Sequence, residues 1–393
     1  MKTGVTEIED RLPAQLEYTL KCPPNVLIFS DHEETFHGHE VQDVLANISP
    51  DILEQNPDFT LYRRVKEVGR LGLEPDDLTG VRTTDNTTDA EKVLVPGWVL
   101  DKWKFLPMMN ETFHRFPDKK WYVFIESDTY LFWSTVLKYV STLDHTKPHC
   151  LGHRTTRLSD HQFMQGGSGY VLSHEALQRV ARYIQTHRRS LDLWMEGEWA
   201  GDISLGAVLN DAQVPMTYAW PIFQPAFFGV TYFGMEFENR RFWCYPAATY
   251  HHMTPETIAD VWSMEQRWIE EESDNSNPFK FLSQGDVFNN LMLPRMRFPR
   301  EDWDNYCDIA RPLATTAEAC KQACLDDREC KQFQFDSVSL QCKIAFVPFY
   351  GEAKLGSGVY SEWLFDRIEK WRNSQRPCVR ESFLRYGDID LEL

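Results

Sequence analysis

The sequence predicts an α/β layered domain followed by a small disulfide-rich module, and three observations carry that expectation. Short apolar runs rich in branched and aromatic residues alternate with helix-like stretches. Those runs end in polar residues, as strands do where open α/β sheets place ligands. Six of the nine cysteines fall within residues 304–378.

Taken in chain order, Asn25–Ser30 reads as a buried strand that feeds Asp31 and His32 into a loop. Residues 40–80 and 89–116 are helical in parts, punctuated by Pro57, Pro75, Pro96 and Pro107. Trp121–Ile125 is a second buried strand, with Glu126-Ser127-Asp128 at its carboxyl end. Ser173 and Glu175 open a helix over 174–187 with an apolar stripe of Ala176, Leu177, Val180, Ala181 and Ile184. Residues 270–303 are acidic, then rich in proline and arginine, and read as a connection. The boundaries expected are residues 1–300 for the first domain, 301–380 for the cysteine module and 381–393 for a tail.

A chain of 393 residues suggests two or three domains, and 42% hydrophobic residues supply a real core. The net charge of −18 argues against nucleic acid as a partner, because phosphate binding needs a cationic surface. It disfavours an anionic lipid surface equally. No stretch approaches the roughly 20 apolar residues of a membrane span. The segment Met1–Gln15 lacks the apolar core of a signal peptide, so the chain is expected to be soluble, with any membrane anchor absent from it.

The cysteine density after residue 304 is that of an oxidised module whose core needs covalent help. Zinc is disfavoured because paired C-x2-C ligands and clustered histidine are missing there. Disulfides imply the secretory pathway, and the Asn-x-Ser/Thr sites at Asn86 and Asn110, with a weaker one at Asn47, agree with it.

Four stretches carry candidate chemistry. Glu126-Ser127-Asp128 is an acid-x-acid triplet, and strand alternation would put its two carboxylates on one side to hold a divalent cation. Gln165-Gly166-Gly167-Ser168-Gly169-Tyr170 lets backbone approach a ligand closely, although an isolated glycine loop is more often a tight turn. Asp202, within Glu198–Gly206, is a general base or a helix cap, the cap being the default for such a residue. Tyr250-His251-His252 offers a metal ligand, and adjacent histidines in extended chain point apart, so one is expected to reach.

In this order the four stretches resemble the β-1,3-glycosyltransferases of glycosyltransferase family 31, closest to the fungal members of its core 1 β-1,3-galactosyltransferase and Fringe-like branch. The resemblance spans roughly residues 22–270. The cysteine module resembles a PAN/apple domain, an α+β unit. Family 31 implies a GT-A (Rossmann-like) fold, a UDP-sugar donor with galactose as the first expectation, manganese, inversion and a glycan or glycoprotein acceptor. It further implies the lumen of the Golgi, or secretion.

Carried over by position, Asp128 and His251 match metal ligands and Asp202 matches the base. Glu126, Ser127, Asp128, Ser30 and Asp31 are expected at the donor. Gln165, Gly166, Gly167, Ser168, Gly169, Tyr170, Trp199, Trp243 and Tyr250 are expected at the acceptor. The triplet departs from the family's D-x-D, and Gly201-Asp202 stands where Glu-Asp is usual. The PAN/apple resemblance implies the pairs Cys307–Cys378, Cys320–Cys342 and Cys324–Cys330, with at least one of Cys22, Cys150 and Cys244 left unpaired. The competing reading is a catalytically inactive carbohydrate- or protein-binding protein acting through the PAN/apple module. A metal-dependent hydrolase ranks last, lacking a dense His/Asp cluster.

Overall fold

A computed structural model describes residues 1–78, 95–156, 162–237, 240–272 and 281–378. Asn86 and the tail 381–393 lie outside the described residues. Two compact units divide the chain: residues 1–225 with 251–259, and residues 226–250 with 260–378. No helix of the described residues is long and apolar enough to cross a membrane.

The first unit is a mixed α/β assembly. One sheet runs in the order Met216–Tyr218, Cys150–Gly152, Tyr170–Ser173, Trp121–Phe124. Its first pair is parallel and the others antiparallel. A second sheet sets Ile28–Ser30 parallel to His39–Asp43, which in turn pairs antiparallel with Glu34–Phe36. The amino-terminal segment runs between the two: Lys2 N–H donates to Ile125 O at 2.9 Å and Thr3 N–H to Phe29 O at 2.8 Å. Backbone hydrogen bonding thus needs a partner strand that sequence periodicity did not mark, because only two of the five residues in Met1–Val5 are apolar side chains.

The helix opened by Ser173 extends over His174–Met195, longer than 174–187, with a kink at His187. Ser173 caps it by accepting the Ala176 N–H at 3.2 Å. All five residues of the expected stripe are buried, and Ala176, Leu177, Val180 and Ile184 pack into the core with Leu106, Met109 and Leu172. The helices Phe105–Arg115 and Gly201–Asp211 contribute to the same core. Asn110 lies on the former, where its side chain accepts from Gln185 at 2.9 Å; Asn47 is exposed.

The second unit centres on an antiparallel five-stranded sheet. Its order is Arg300–Glu301, Val359–Trp363, Gln332–Asp336, Cys342–Ala345, Ile309–Arg311. Residues 281–303 are no plain connection. Phe281, Leu282, Phe288, Leu291 and Met292 are buried, and Ser283 with Asp286 forms a capping box. The helix Ala317–Asp326 is joined to the sheet by Cys320–Cys342, and Cys324–Cys330 closes the turn after it. Arg367 donates to the carbonyls of Cys324, Leu325, Asp327 and Cys330, placing a cation at that helix's carboxyl end.

The third pair differs from the expectation: Cys378 bonds Cys244, and Cys307 is a buried free thiol, as is Cys150. Cys244 and Cys378 lie 134 residues apart, and both belong to the second unit, so the bond ties residues 226–250 to its carboxyl end. Pairing by analogy overlooked Cys244 because it lies outside the dense cysteine segment. Replacing Cys244 and Cys378 together by serine should cost about 2–4 kcal/mol by removing a long cross-link from the unfolded chain. Non-reducing peptide mapping checks the pairing, and a Cys307–Cys378 peptide would refute it.

Candidate metal and acid–base site

The site lies in the first unit, where the strand Trp121–Phe124 ends and Glu126-Ser127-Asp128 turns back. That turn is closed by Thr129 N–H on Glu126 O at 3.1 Å. Because the triplet is a turn rather than strand, its two acids do not align as strand alternation predicts. Glu126 pairs with Lys2 at 3.0 Å, and Lys2 also binds Asp101. Ser127 donates its hydroxyl to Glu7 at 2.7 Å.

Asp128 instead meets two histidines and an arginine. Its Oδ1 lies 3.2 Å from His251 Nε2, while its Oδ2 lies 3.9 Å from His252 Nδ1 and 3.1 Å from Arg11 Nη1. Asp128, His251 and His252 each offer one ligand atom, all within 4.8 Å of one another. The expectation that only one histidine reaches is corrected by backbone geometry. His252 has φ +58°, so the chain leaves the extended region and the two rings stack 3.7 Å apart. His251 Nδ1 is 3.2 Å from Pro225 O, which directs Nε2 towards Asp128. One carboxylate oxygen and two imidazole nitrogens suit a first-row divalent cation.

The glycine loop packs directly on this cluster. A Cβ at Gly167 would overlap the His251 ring, and one at Gly166 would come within 2.7 Å of Glu126 Oε1. Thr129 donates its hydroxyl to Gly167 O at 2.7 Å, and Gly166 N–H donates to Asp202 Oδ2 at 3.2 Å. The residue before Gly201–Asp211 is Ala200, so Asp202 stands inside the first helical turn and is not its cap. Asp202 Oδ1 is buried without a hydrogen-bond partner among the described residues. Gly167→Ala should displace the imidazole and cut any activity that depends on it by about 100-fold. Circular dichroism and turnover together check this; full turnover would mean the loop has room to shift.

Electrostatics separate the acids. Burial alone would raise Asp128, but His251, then Arg11 and His252, outweigh it and hold its carboxyl well below the usual range. Burial raises Asp202, opposed by the Gly166 N–H and by Lys2. Burial likewise raises Glu126 against its pairing with Lys2. His251 is raised, because Asp128 overcomes a desolvation cost that acts the other way. Burial and the neighbouring His251 lower His252 to about 4.

Other expected residues fall elsewhere. Ser30 and Asp31 are buried, with Asp31 accepting Val5 N–H at 2.7 Å and the Ser30 hydroxyl at 3.0 Å, so they anchor the amino-terminal segment. Gln165 leads into the loop, Ser168 donates to Gln165 O at 2.8 Å, and Gly169 takes φ +70°, a conformation glycine adopts freely. Tyr170 is buried in a stack on Phe124. Trp199 is exposed and faces Trp98.

Trp243 and Tyr250 belong to the second unit. There Tyr250 is fully buried, bonded to Gln284, and Trp243 packs on Phe288 and Trp371. Tyr250 thus presents no open face for stacking on a sugar, whereas Trp243 is half-buried. Sequence reasoning missed Arg11, Glu7 and Lys2, and it named His252 while expecting only His251 to reach. The first three carry no motif of their own, and the adjacency of the two histidines was the one available signal for His252.

Residues 100–223, which contain the acidic turn, the glycine loop and Asp202, match the family model described as Fringe-like. His251 and His252 lie beyond the matched residues. Over residues 100–223 the chain is therefore similar to the Fringe-like family, a likeness that suggests a glycosyltransferase.

Proposed function

We propose that this chain is an inverting, metal-dependent UDP-sugar β-1,3-glycosyltransferase of the secretory pathway, with galactose as the first donor sugar to test and a glycan or glycoprotein as acceptor. The observation that carries the reading is the shared glycine loop. Gly166 donates to Asp202 while Gly167 seats His251 against Asp128, so the candidate base and the candidate metal ligands are positioned by adjacent residues. Asp128, His251 and His252 would hold the cation, manganese being the family's usual choice. When bound, it offsets the negative charge that builds on the departing diphosphate.

The protein's own groups supply the rest. Asp202, its Oδ1 free to accept, takes the proton from the attacking acceptor hydroxyl. Its raised pKa makes it a stronger base than an exposed aspartate. Arg11, 3.1 Å from Asp128, adds positive charge beside the place a diphosphate would occupy. Residues 301–380 are proposed as a PAN/apple-like module that binds carbohydrate or protein.

UDP release from UDP-galactose, measured with manganese across acceptor glycosides and again in EDTA, tests the proposal. Turnover that EDTA abolishes supports it, and full turnover in EDTA overturns the metal assignment. Metal affinity should also depend on pH with a definite sign. His251 must be neutral to ligate, and Asp128 raises its pKa above 6.5, so affinity should increase as pH rises through that higher value. Calorimetry in buffers of different ionisation enthalpy should show protons released on binding near neutrality. Flat affinity from pH 6 to 8 would remove His251 from the ligand set.

A further inference from the structure

We propose that Trp98 and Trp199 form a stacking platform for a neutral pyranose of the acceptor, an inference that rests on the glycosyltransferase reading above. Trp98 is 45% exposed and Trp199 is 53% exposed. Their rings face each other with centroids 6.2 Å apart and an interplanar angle of 23°. Two large apolar side chains left about half exposed beside each other are costly to keep in water. The C–H face of a pyranose is a ligand that covers an indole face, while the sugar's hydroxyls stay solvated.

The pair is held on a firm support. Trp98 lies in the helix Pro96–Asp101. Lys102, directly after it, donates to Glu198 O at 2.8 Å and pairs with Asp58 at 2.7 Å. Gly201 packs so closely on the Lys102 backbone and Phe105 that a Cβ would not fit. The backbone carrying Trp199 is thereby fastened to the segment carrying Trp98.

Position supplies the second argument. Trp199 precedes Asp202 by three residues, a chain reach of about 10 Å at most. That is the span of one or two sugar rings from the hydroxyl that Asp202 would deprotonate. The buried Asp202 Oδ1, with no hydrogen-bond partner among the described residues, is an acceptor waiting for such a donor. Glu196 and Glu198 come just before Trp199 in sequence, and acidic neighbours favour a neutral sugar over an anionic one.

The test uses the full chain labelled with 5-fluorotryptophan, with Trp98→Phe and Trp199→Phe assigning the two fluorine resonances. Methyl β-galactoside and methyl α-N-acetylgalactosaminide are titrated, and UDP release from UDP-galactose is followed with the same glycosides. Both resonances should shift on titration. Trp199→Ala and Trp98→Ala should each raise the acceptor KM roughly three- to ten-fold. Their kcat should change little and their melting should stay normal, with phenylalanine restoring most of the affinity. UDP release with both resonances unmoved, or an unchanged acceptor KM in a folded Trp199→Ala, would overturn the platform and leave the transfer reading intact. Shifts with no UDP release from UDP-galactose would support the platform and overturn galactose transfer instead.

Discussion

Asp202→Asn should lower sugar transfer by roughly 10²–10⁴-fold, the range expected for losing a general base. The substitution keeps the size of the side chain and an oxygen able to accept the Gly166 N–H, now 3.2 Å from the carboxylate. UDP and manganese affinity should persist, because Asp128, His251 and His252 are separate groups. Stability gives an independent check of the environment. Asp202 has a pKa raised above its ordinary value of 3.8, so the ionised form is disfavoured in the folded state. Its destabilising effect opens as pH rises from the ordinary value through the raised one, and it is fully present above that. Asparagine carries no such charge, so the variant should melt at the same temperature or higher at neutral pH, with the difference vanishing in acid. A near-normal rate would end the assignment of Asp202 as base. A lost rate together with lost UDP binding would make it a structural residue instead.

Asp128→Ala should abolish metal binding and lower transfer by several orders of magnitude. It removes the one carboxylate shared by His251, His252 and Arg11, leaving the buried His251 without its counter-charge while Arg11 keeps Glu7 at 3.0 Å. Breaking a buried pair in this way costs roughly 3–5 kcal/mol, so the melting temperature should fall as well. Asp128→Asn separates the two effects, since it keeps hydrogen bonding but not the charge. Of the histidines, His251→Ala should weaken manganese binding the more, because its ring is buried and lies nearer the carboxylate. His252→Ala should weaken it measurably too, since its ring nitrogen belongs to the same cluster. Manganese titration followed by paramagnetic relaxation of water reads all four variants. Unchanged affinity in Asp128→Ala would place the cation elsewhere.

What the sequence by itself determined is local and periodic. The strand before the acidic triplet, of which Tyr122 and Phe124 are buried, and the Ser173-capped helix with its apolar stripe follow from spacing along the chain. So does the order of the acid, glycine and histidine stretches that pointed to a glycosyltransferase. Tertiary structure decided what depends on direction and on distant partners. Lys2 takes Glu126 out of the acidic pair because the amino-terminal segment lies alongside the strand end, a pairing between residues 124 positions apart. The left-handed backbone at His252 returns its ring to Asp128, which no reading of extended neighbours anticipates. Cys378 finds Cys244 rather than Cys307 because a disulfide forms between sulfurs brought together by the folded backbone, whatever their density in sequence. Tyr250, grouped by sequence with its neighbour His251, is buried in the other unit, because a chain crossing between units sends consecutive side chains into different surroundings.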